Sequence, residues 1–123
     1  QSEKIALSHL KKKKIEYIFL AGFMKILSKA FIEKYKNKII NIHPSLLPKF
    51  KGLNTHKRAI ENGEKFSGCT VHFVTSKLDS GKIIMQRKVK IYNSDTPKKL
   101  EKRVLKAENK LYPMAIRKIL SNY

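Results

Sequence analysis

Two short apolar segments limit the fold more than any other feature of the sequence. Residues 15–22 read IEYIFLAG and residues 38–42 read KIINI. Continuous apolar runs of this length are typical of strands that are buried on both faces, as in a parallel sheet. The segment between them, residues 28–36, has the spacing of an amphipathic helix, with one face formed by Ala30, Phe31 and Tyr35. The order strand, helix, strand indicates an α/β fold.

The remaining segments extend this pattern. CTVHFVT (69–75) and KIIMQRKVKIY (82–92) are predicted strands that lie close enough in sequence to pair as antiparallel neighbours. Residues 3–14 have apolar positions and a basic end, which predicts the last turns of a helix. We therefore expect a mostly parallel sheet with one antiparallel strand pair, in a single domain over residues 1–123.

Local signals predict where two further helices begin and end. A helix with Thr55 as its N-cap should stop at Gly63. A long C-terminal helix should start with Thr96 as N-cap and Pro97 at its first position, and Pro113 should kink or restart it. Its buried face is predicted to contain Leu100, Val104, Ala107 and Leu111.

The net charge of +19 permits two interpretations. Such a charge suits a non-catalytic module that binds nucleic acid. However, only four of the 28 basic residues are arginines, the residue type that recognises phosphates and bases best, and lysines are spread along the whole chain. A lysine-rich drift in composition is therefore the favoured explanation.

Composition also indicates the cellular compartment. No stretch approaches the roughly 20 apolar residues of a membrane span, and residues 1–15 lack the apolar segment of a signal peptide. Cys69 is the single cysteine and cannot form an internal disulfide. These features favour a cytoplasmic protein.

Asn41 and His43 are the first candidates for chemistry. They lie two residues apart at the end of a predicted strand, so their side chains share one face. Ligands of open α/β sheets bind beyond the carboxyl ends of the strands, where an amide and an imidazole could stabilise a developing oxyanion. From spacing alone, a polar turn in which both side chains bind backbone groups before Pro44 is the simpler interpretation.

The neighbouring residues favour the chemical interpretation. NIHPSLLP (41–48), followed by Lys51 and Gly52, resembles the signature of the folate-dependent formyltransferases. The resemblance continues through LAGFMKILS (20–28), GCTVHFVT (68–75) and LDSGKIIMQ (78–86). It implies the Rossmann-like fold of that family and 10-formyltetrahydrofolate as co-substrate, with no metal.

The resemblance also implies roles for individual residues. Asn41, His43 and Asp79 match the catalytic positions of the family. The segment that binds the folate corresponds to Leu20, Met24, Lys25, Ile26, Leu27 and Val74. Contacts to the acceptor substrate are implied for Pro44 and Glu108, and His72 is a possible active-site neighbour, although a core histidine bonded to backbone explains it equally well.

Within the family, the motif Gly-x-x-x-His that ends at His56 is most similar to the branch that formylates glycinamide ribonucleotide in de novo purine biosynthesis. This branch implies small-molecule partners, with no membrane and no nucleic acid. A 10-formyltetrahydrofolate hydrolase and a methionyl-tRNA or sugar formyltransferase are the alternatives. The tRNA branch normally has Arg-Gly where Lys51 and Gly52 stand here.

Two departures from the family pattern limit these implications. The family's phosphate-binding strand and loop have no counterpart before residue 15, so the chain resembles the back portion of the catalytic domain, with the front strands missing. We therefore expect reduced or no activity for the isolated chain. Leu105 stands where a basic residue often precedes the glutamate that matches Glu108. The sequence predicts no oligomeric state.

Overall fold

The computed structural model describes residues 4–10, 15–21 and 29–121, which form five strands and three helices. In chain order these are β1 (Lys4–Leu10), β2 (Ile15–Ala21), α1 (Lys29–Lys34), β3 (Ile39–His43), α2 (Thr55–Glu61), β4 (Phe66–Phe73), β5 (Ile83–Lys90) and α3 (Pro97–Ser121). The strands form one sheet in the order β1-β2-β3-β4-β5. The predicted α/β class and the long C-terminal helix are confirmed.

The sheet is mixed. β2 and β3 are parallel and are connected through α1, as their continuous apolar sequences predict. β4 and β5 are antiparallel, which is also confirmed, and β3 pairs with β4 in the antiparallel sense. Among the described strands, antiparallel pairs therefore outnumber the parallel pair.

The predicted helix over residues 3–14 is wrong for the residues that the structure describes there. Residues 4–10 form β1, which pairs antiparallel with β2 and places Ile5 opposite Leu20. Without β1, this side of β2 would leave a row of backbone N–H and C=O groups unpaired. Strand pairing satisfies these groups, and such tertiary effects override weak helical propensity.

One face of the sheet packs against α3 and forms the larger core. The inward side chains of β2, β3, β4 and β5 meet one stripe of the helix, and all four predicted helix positions are buried there. The buried members of this core are Tyr17, Phe19, Ile40, Ile42, Cys69, Val71, Val89, Leu100, Val104, Ala107, Leu111, Ala115 and Ile119.

The start of α3 follows the prediction, whereas a restart of the helix at Pro113 is wrong. The Lys99 N–H donates to the Thr96 hydroxyl at 3.2 Å, so Thr96 caps the helix, and Pro97 is its first residue. The helix continues through Pro113 without restarting. Pro113 is exposed while the buried Leu111 and Ala115 on either side pack into the core, so tertiary packing holds the turn that lacks one backbone hydrogen bond.

An ion pair fixes α3 to the loop that precedes it. The Arg103 guanidinium donates to both carboxylate oxygens of Asp95, at 2.7 and 2.9 Å. This bidentate bond and the Tyr92 N–H lower the pKa of Asp95 to about 2. Arg103 also lies 4.8 Å from the centre of the Tyr92 ring.

The other face of the sheet carries α1 and a smaller cluster formed by Ile18, Leu20, Ile32 and Ile39. The predicted helix is confirmed over the residues described, but its buried side chain is Ile32, whereas Ala30 is exposed. Phe31 and Tyr35 pack against the edge of this cluster.

The predicted N-cap of α2 is wrong. The helix begins at Thr55, whose side chain is buried, and Asn54 occupies the N-cap position without a side-chain cap bond. Asn54 has φ 56° and ψ 40°, a left-handed conformation that asparagine tolerates well. Gly63, with φ 70°, follows the helix end as predicted.

Candidate functional site

Asn41 and His43 lie at the end of β3 on the face opposite α3. They are only 8% and 6% exposed, while Ile40 and Ile42 point into the larger core. In the register of β3 and β4, Asn41 lies opposite His72 and His43 lies opposite Thr70. Four polar side chains therefore share one buried patch of the sheet.

The His43 ring is held between a backbone carbonyl and a carboxylate. Its Nε2 lies 2.9 Å from the Phe50 carbonyl oxygen, and its Nδ1 lies 3.5 Å from Oδ2 of Asp79. A carbonyl oxygen can only accept, so Nε2 carries a hydrogen and Nδ1 faces the carboxylate. In the neutral ring two acceptors would face each other, whereas an imidazolium donates in both directions. Asp79 is therefore placed to accept a hydrogen bond from Nδ1 whenever the ring carries a second proton.

Asp79 is positioned by its own backbone and by the neighbouring loop. It adopts φ 47°, and its Oδ2 accepts the Gly52 N–H at 2.8 Å. Lys51 Nζ donates to the Ser80 hydroxyl at 3.0 Å, so two contacts join the two loops. The sequence places 36 positions between His43 and Asp79, and the fold closes that separation.

The Asn41 side chain has an unused amide. Its Oδ1 is buried without a hydrogen-bond partner, and no hydrogen bond engages its amide nitrogen within the residues that the structure describes. An unpaired buried amide costs stability, by about 1 to 3 kcal/mol for a typical polar group. A ligand oxygen beside Asn41 would find a free N–H donor at the end of the strand.

His72 is a neutral acceptor beside this group. Burial is the largest effect and lowers its pKa. Its Nδ1 lies 2.9 Å from the Phe73 carbonyl oxygen and so carries the hydrogen, which leaves a lone pair on Nε2. That atom is buried, has no hydrogen-bond partner and lies 4.0 Å from Oδ1 of Asp79. The structure thus brings His72 into the patch of polar side chains.

The loop of residues 44–50 is anchored by side chains that the sequence does not single out. Thr70 donates to the Ser45 carbonyl at 2.7 Å and accepts the Leu47 N–H at 3.1 Å. Gln86 donates to the Leu47 carbonyl at 2.9 Å. Thr70 could have been found by its position two residues before His72 on the same strand face. For Gln86, an exposed polar residue in a strand, the sequence contains no such signal.

The predicted folate-binding residues divide into two groups. Leu20 is buried in the smaller cluster, its carbonyl accepts the Tyr112 hydroxyl, and Val74 packs against the same cluster. The other four positions, Met24, Lys25, Ile26 and Leu27, lie outside the described residues. Of the predicted acceptor contacts, Pro44 is half-buried directly after His43.

Glu108 is a half-buried carboxyl on α3. Burial, and secondly the charge of Glu101, raise its pKa to about 7. In the described part of the chain, no lysine or arginine forms an ion pair with it. Burial is the largest effect on His56 of α2 and lowers its pKa, and Glu101 has a smaller, opposite effect.

Replacing Glu108 by glutamine is expected to stabilise the chain at alkaline pH. The folded-state pKa lies above the usual value of 4.5, so stability is highest below that value and falls as the pH rises through about 7. Each pKa unit corresponds to about 1.4 kcal/mol, so Glu108→Gln should raise the free energy of unfolding by up to about 3 kcal/mol at pH 8 and by almost nothing at pH 4. Urea unfolding at 0.15 M salt measures both.

The matched control is Glu61→Gln, which removes an exposed carboxylate from α2. It should change the free energy of unfolding by less than about 0.5 kcal/mol at either pH. Equal effects of the two variants, or a Glu108→Gln effect that does not grow with pH, would show that Glu108 is not destabilised by burial.

Two kinds of feature are absent from the described residues. No three His, Cys, Asp or Glu side chains among them lie together as a metal ion would require. Among the helices of the described ranges, none has both the length and the apolar character of a membrane span.

The chain is similar to a group of formyl-transferring proteins. A family model described as formyl transferase matches residues 1–116. Phosphoribosylglycinamide formyltransferase of Escherichia coli (strain K12) is 48% identical over 101 residues, which cover 82% of this chain and 48% of that protein. Trifunctional purine biosynthetic protein adenosine-3 of Homo sapiens is 49% identical over 107 residues, which cover 87% of this chain and 11% of the human protein.

Solved structures agree with these relationships. Phosphoribosylglycinamide formyltransferase from Anaplasma phagocytophilum superposes with a TM-score of 0.85 at 45% identity, covering 91% of this chain and 55% of that chain. A formyltetrahydrofolate deformylase from Pseudomonas syringae pv. tomato str. DC3000 has a TM-score of 0.77 at 32% identity, covering 81% of this chain and 34% of that chain. The chain spans about half the length of the formyltransferases from E. coli and A. phagocytophilum. Because the family model matches nearly the whole sequence and the folds agree, the chain belongs to the formyl transferase family.

Proposed function

We propose that this chain carries the reacting centre of an enzyme that moves a formyl group from 10-formyltetrahydrofolate to the amine of glycinamide ribonucleotide. The observation that carries the proposal is the convergence of Asn41, His43 and Asp79 at one end of the sheet, in a chain of this family. The names of the E. coli and A. phagocytophilum relatives support this acceptor.

The reaction requires a charge to be stabilised and protons to be moved. The amine nitrogen forms a bond to the formyl carbon, whose oxygen becomes an oxyanion in the tetrahedral intermediate. The bond from that carbon to the folate nitrogen then breaks, the folate nitrogen gains a proton and the amine loses one. The free Asn41 amide is suited to donate to the oxyanion, and a His43 imidazolium paired with Asp79 is suited to donate a proton.

His43 can reach a formyl oxygen only after one hydrogen bond opens. Both ring nitrogens are engaged, Nε2 by the Phe50 carbonyl and Nδ1 by the facing Asp79 carboxylate. We infer that substrate replaces the Phe50 carbonyl as the partner of Nε2. The Asp79 side would stay in place, since Gly52 holds the carboxylate.

The acceptor and the folate would approach from different sides of this centre. Glu108 is suited to accept hydrogen bonds from sugar hydroxyls, since no cation occupies it within the described chain. Its raised pKa is a stability cost that a binding role would explain. Val74, on the edge of the smaller cluster, would face the folate.

We place this reaction in the cytoplasm, with small molecules as its substrates. Cys69 is a free, buried thiol, and a single unpaired cysteine suits a reducing compartment. Burial raises its pKa to about 12, which keeps the thiol protonated and unreactive.

Transfer of an isotopically labelled formyl group tests the proposal. The label is supplied on 10-formyltetrahydrofolate, and product is measured with glycinamide ribonucleotide, with methionyl-tRNA and with water alone as acceptors. The 123-residue chain is assayed alone and fused behind the N-terminal half of the E. coli relative. Label in the glycinamide product supports the proposal. Label released only as formate would instead favour a hydrolase, the activity named for the P. syringae relative.

A further inference from the structure

We infer that Gln86 is a positioning residue for the reacting centre, although it touches neither Asn41 nor His43. It acts through the loop of residues 44–50, which we call the proline loop. The orientation of His43 can be tested in any case, whereas the consequence for catalysis rests on the proposed function.

The Thr70 hydroxyl connects Gln86 to the proline loop by hydrogen bonds. It is fully buried and uses its whole bonding capacity. Its hydrogen goes to the Ser45 carbonyl, and its oxygen accepts both the Leu47 N–H at 3.1 Å and the Gln86 amide at 3.0 Å. Since a hydroxyl has one hydrogen and two lone pairs, no capacity is left over.

Gln86, on β5, donates hydrogen bonds both to Thr70 and to the proline loop. Its amide nitrogen has two hydrogens and lies 2.9 Å from the Leu47 carbonyl oxygen and 3.0 Å from the Thr70 oxygen. Leu47 is therefore bound through both its N–H and its C=O, at the midpoint of the proline loop. Only a side chain with two donors can make both bonds, because the Leu47 carbonyl cannot donate and the Thr70 hydrogen is already used.

The proline loop begins and ends at His43. Residue 44 follows His43 directly, the Ser45 N–H donates to the His43 carbonyl at 2.9 Å, and the Phe50 carbonyl returns to Nε2 of the His43 ring. Phe50 has φ 54°, an uncommon conformation for a bulky residue, so surrounding contacts must hold it. If the hydrogen bonds to Leu47 were lost, the Phe50 carbonyl would no longer be held against the His43 ring. The ring would then lose the partner that fixes its orientation towards Asp79.

The test compares Gln86→Leu with Lys88→Leu in the 123-residue chain. Both positions lie on the same face of β5 and are exposed, so each variant adds the same apolar side chain to the same surface. Nitrogen-15 NMR of the imidazole follows the His43 Nε2–H. In Gln86→Leu its exchange with water should be at least tenfold faster than in the parent chain, and in Lys88→Leu it should be unchanged within twofold. Urea unfolding checks that both variants remain folded.

The variant Gln86→Glu tests whether hydrogen-bond donation by the side chain, rather than its shape, is required. Its carboxylate has the size of the amide but no hydrogen, so at pH 7 it should behave like Gln86→Leu. Near pH 4 a carboxyl group is largely protonated and regains one donor. Relative to Gln86→Leu at the same pH, exchange of the His43 proton should then slow at least threefold.

In the fusion with the E. coli segment, Gln86→Leu should lower kcat about tenfold and leave KM for the folate within twofold. The inference is overturned if Gln86→Leu exchanges like the parent chain, or if Lys88→Leu produces the same acceleration. Absence of formyl transfer in the parent fusion would contradict the proposed function and would leave the NMR comparison to decide the role of Gln86.

Discussion

Replacing Asn41 or His43 by alanine is expected to lower the turnover of formyl transfer by about 100- to 1,000-fold, the usual effect of removing one oxyanion donor. Asn41→Ala would remove an amide that has no hydrogen-bond partner within the described residues, and His43→Ala would remove the ring that faces the Asp79 carboxylate. Turnover is measured by label transfer to glycinamide ribonucleotide in the fused protein.

Two further variants make this result specific. Asn41→Asp keeps the shape of the side chain and replaces a donor by an acceptor, so it should reduce turnover at least as much as Asn41→Ala. Asn93→Ala changes an exposed residue in the loop before α3 and should have no effect. A loss below tenfold in both the Asn41 and His43 variants, with folding intact, would remove these residues from the mechanism.

Gly81→Ala is expected to destabilise the fold by about 3 kcal/mol, near the upper end of ordinary overpacking. A Cβ at Gly81 would overlap the Phe73 backbone carbonyl, which cannot turn away as a flexible side chain could. The displaced segment also contains Asp79, so His43 should lose its carboxylate partner as well. Urea unfolding measures the loss of stability.

Gly63→Ala is the matched control for this effect. Gly63 has φ 70° and no atom within 4 Å of an added Cβ, so it tests left-handed strain without overlap. The expected cost is about 1 kcal/mol. If both substitutions lowered the free energy of unfolding equally, the close approach of the Phe73 carbonyl would not explain the glycine at position 81.

Much of the fold follows from local sequence patterns. The apolar runs of β2 and β3 predict a parallel pair, and the stripe from Leu100 to Leu111 predicts the face of α3 that is buried. Thr96 and Gly63 mark helix ends because capping depends only on nearby residues.

Two of the errors arise where distant parts of the chain decide the structure. Residues 4–10 pair with the edge of β2, a partner that helical spacing cannot reveal. Pro113 is held in a continuous helix by the core on either side of it. The same limit applies to the site. The face shared by Asn41 and His43 follows from strand alternation, but the approach of Asp79 and the bonds of Gln86 depend on how separate strands and loops pack.

A direct test of the central claim is a single-turnover experiment with labelled 10-formyltetrahydrofolate and glycinamide ribonucleotide. It uses the fused protein and its His43→Ala variant, with product identified by mass spectrometry. If Asn41, His43 and Asp79 form the reacting centre, label enters the amide product in the parent protein and its transfer slows at least 100-fold in the variant. Transfer at the same rate in both proteins, or label recovered only as formate, would contradict that account.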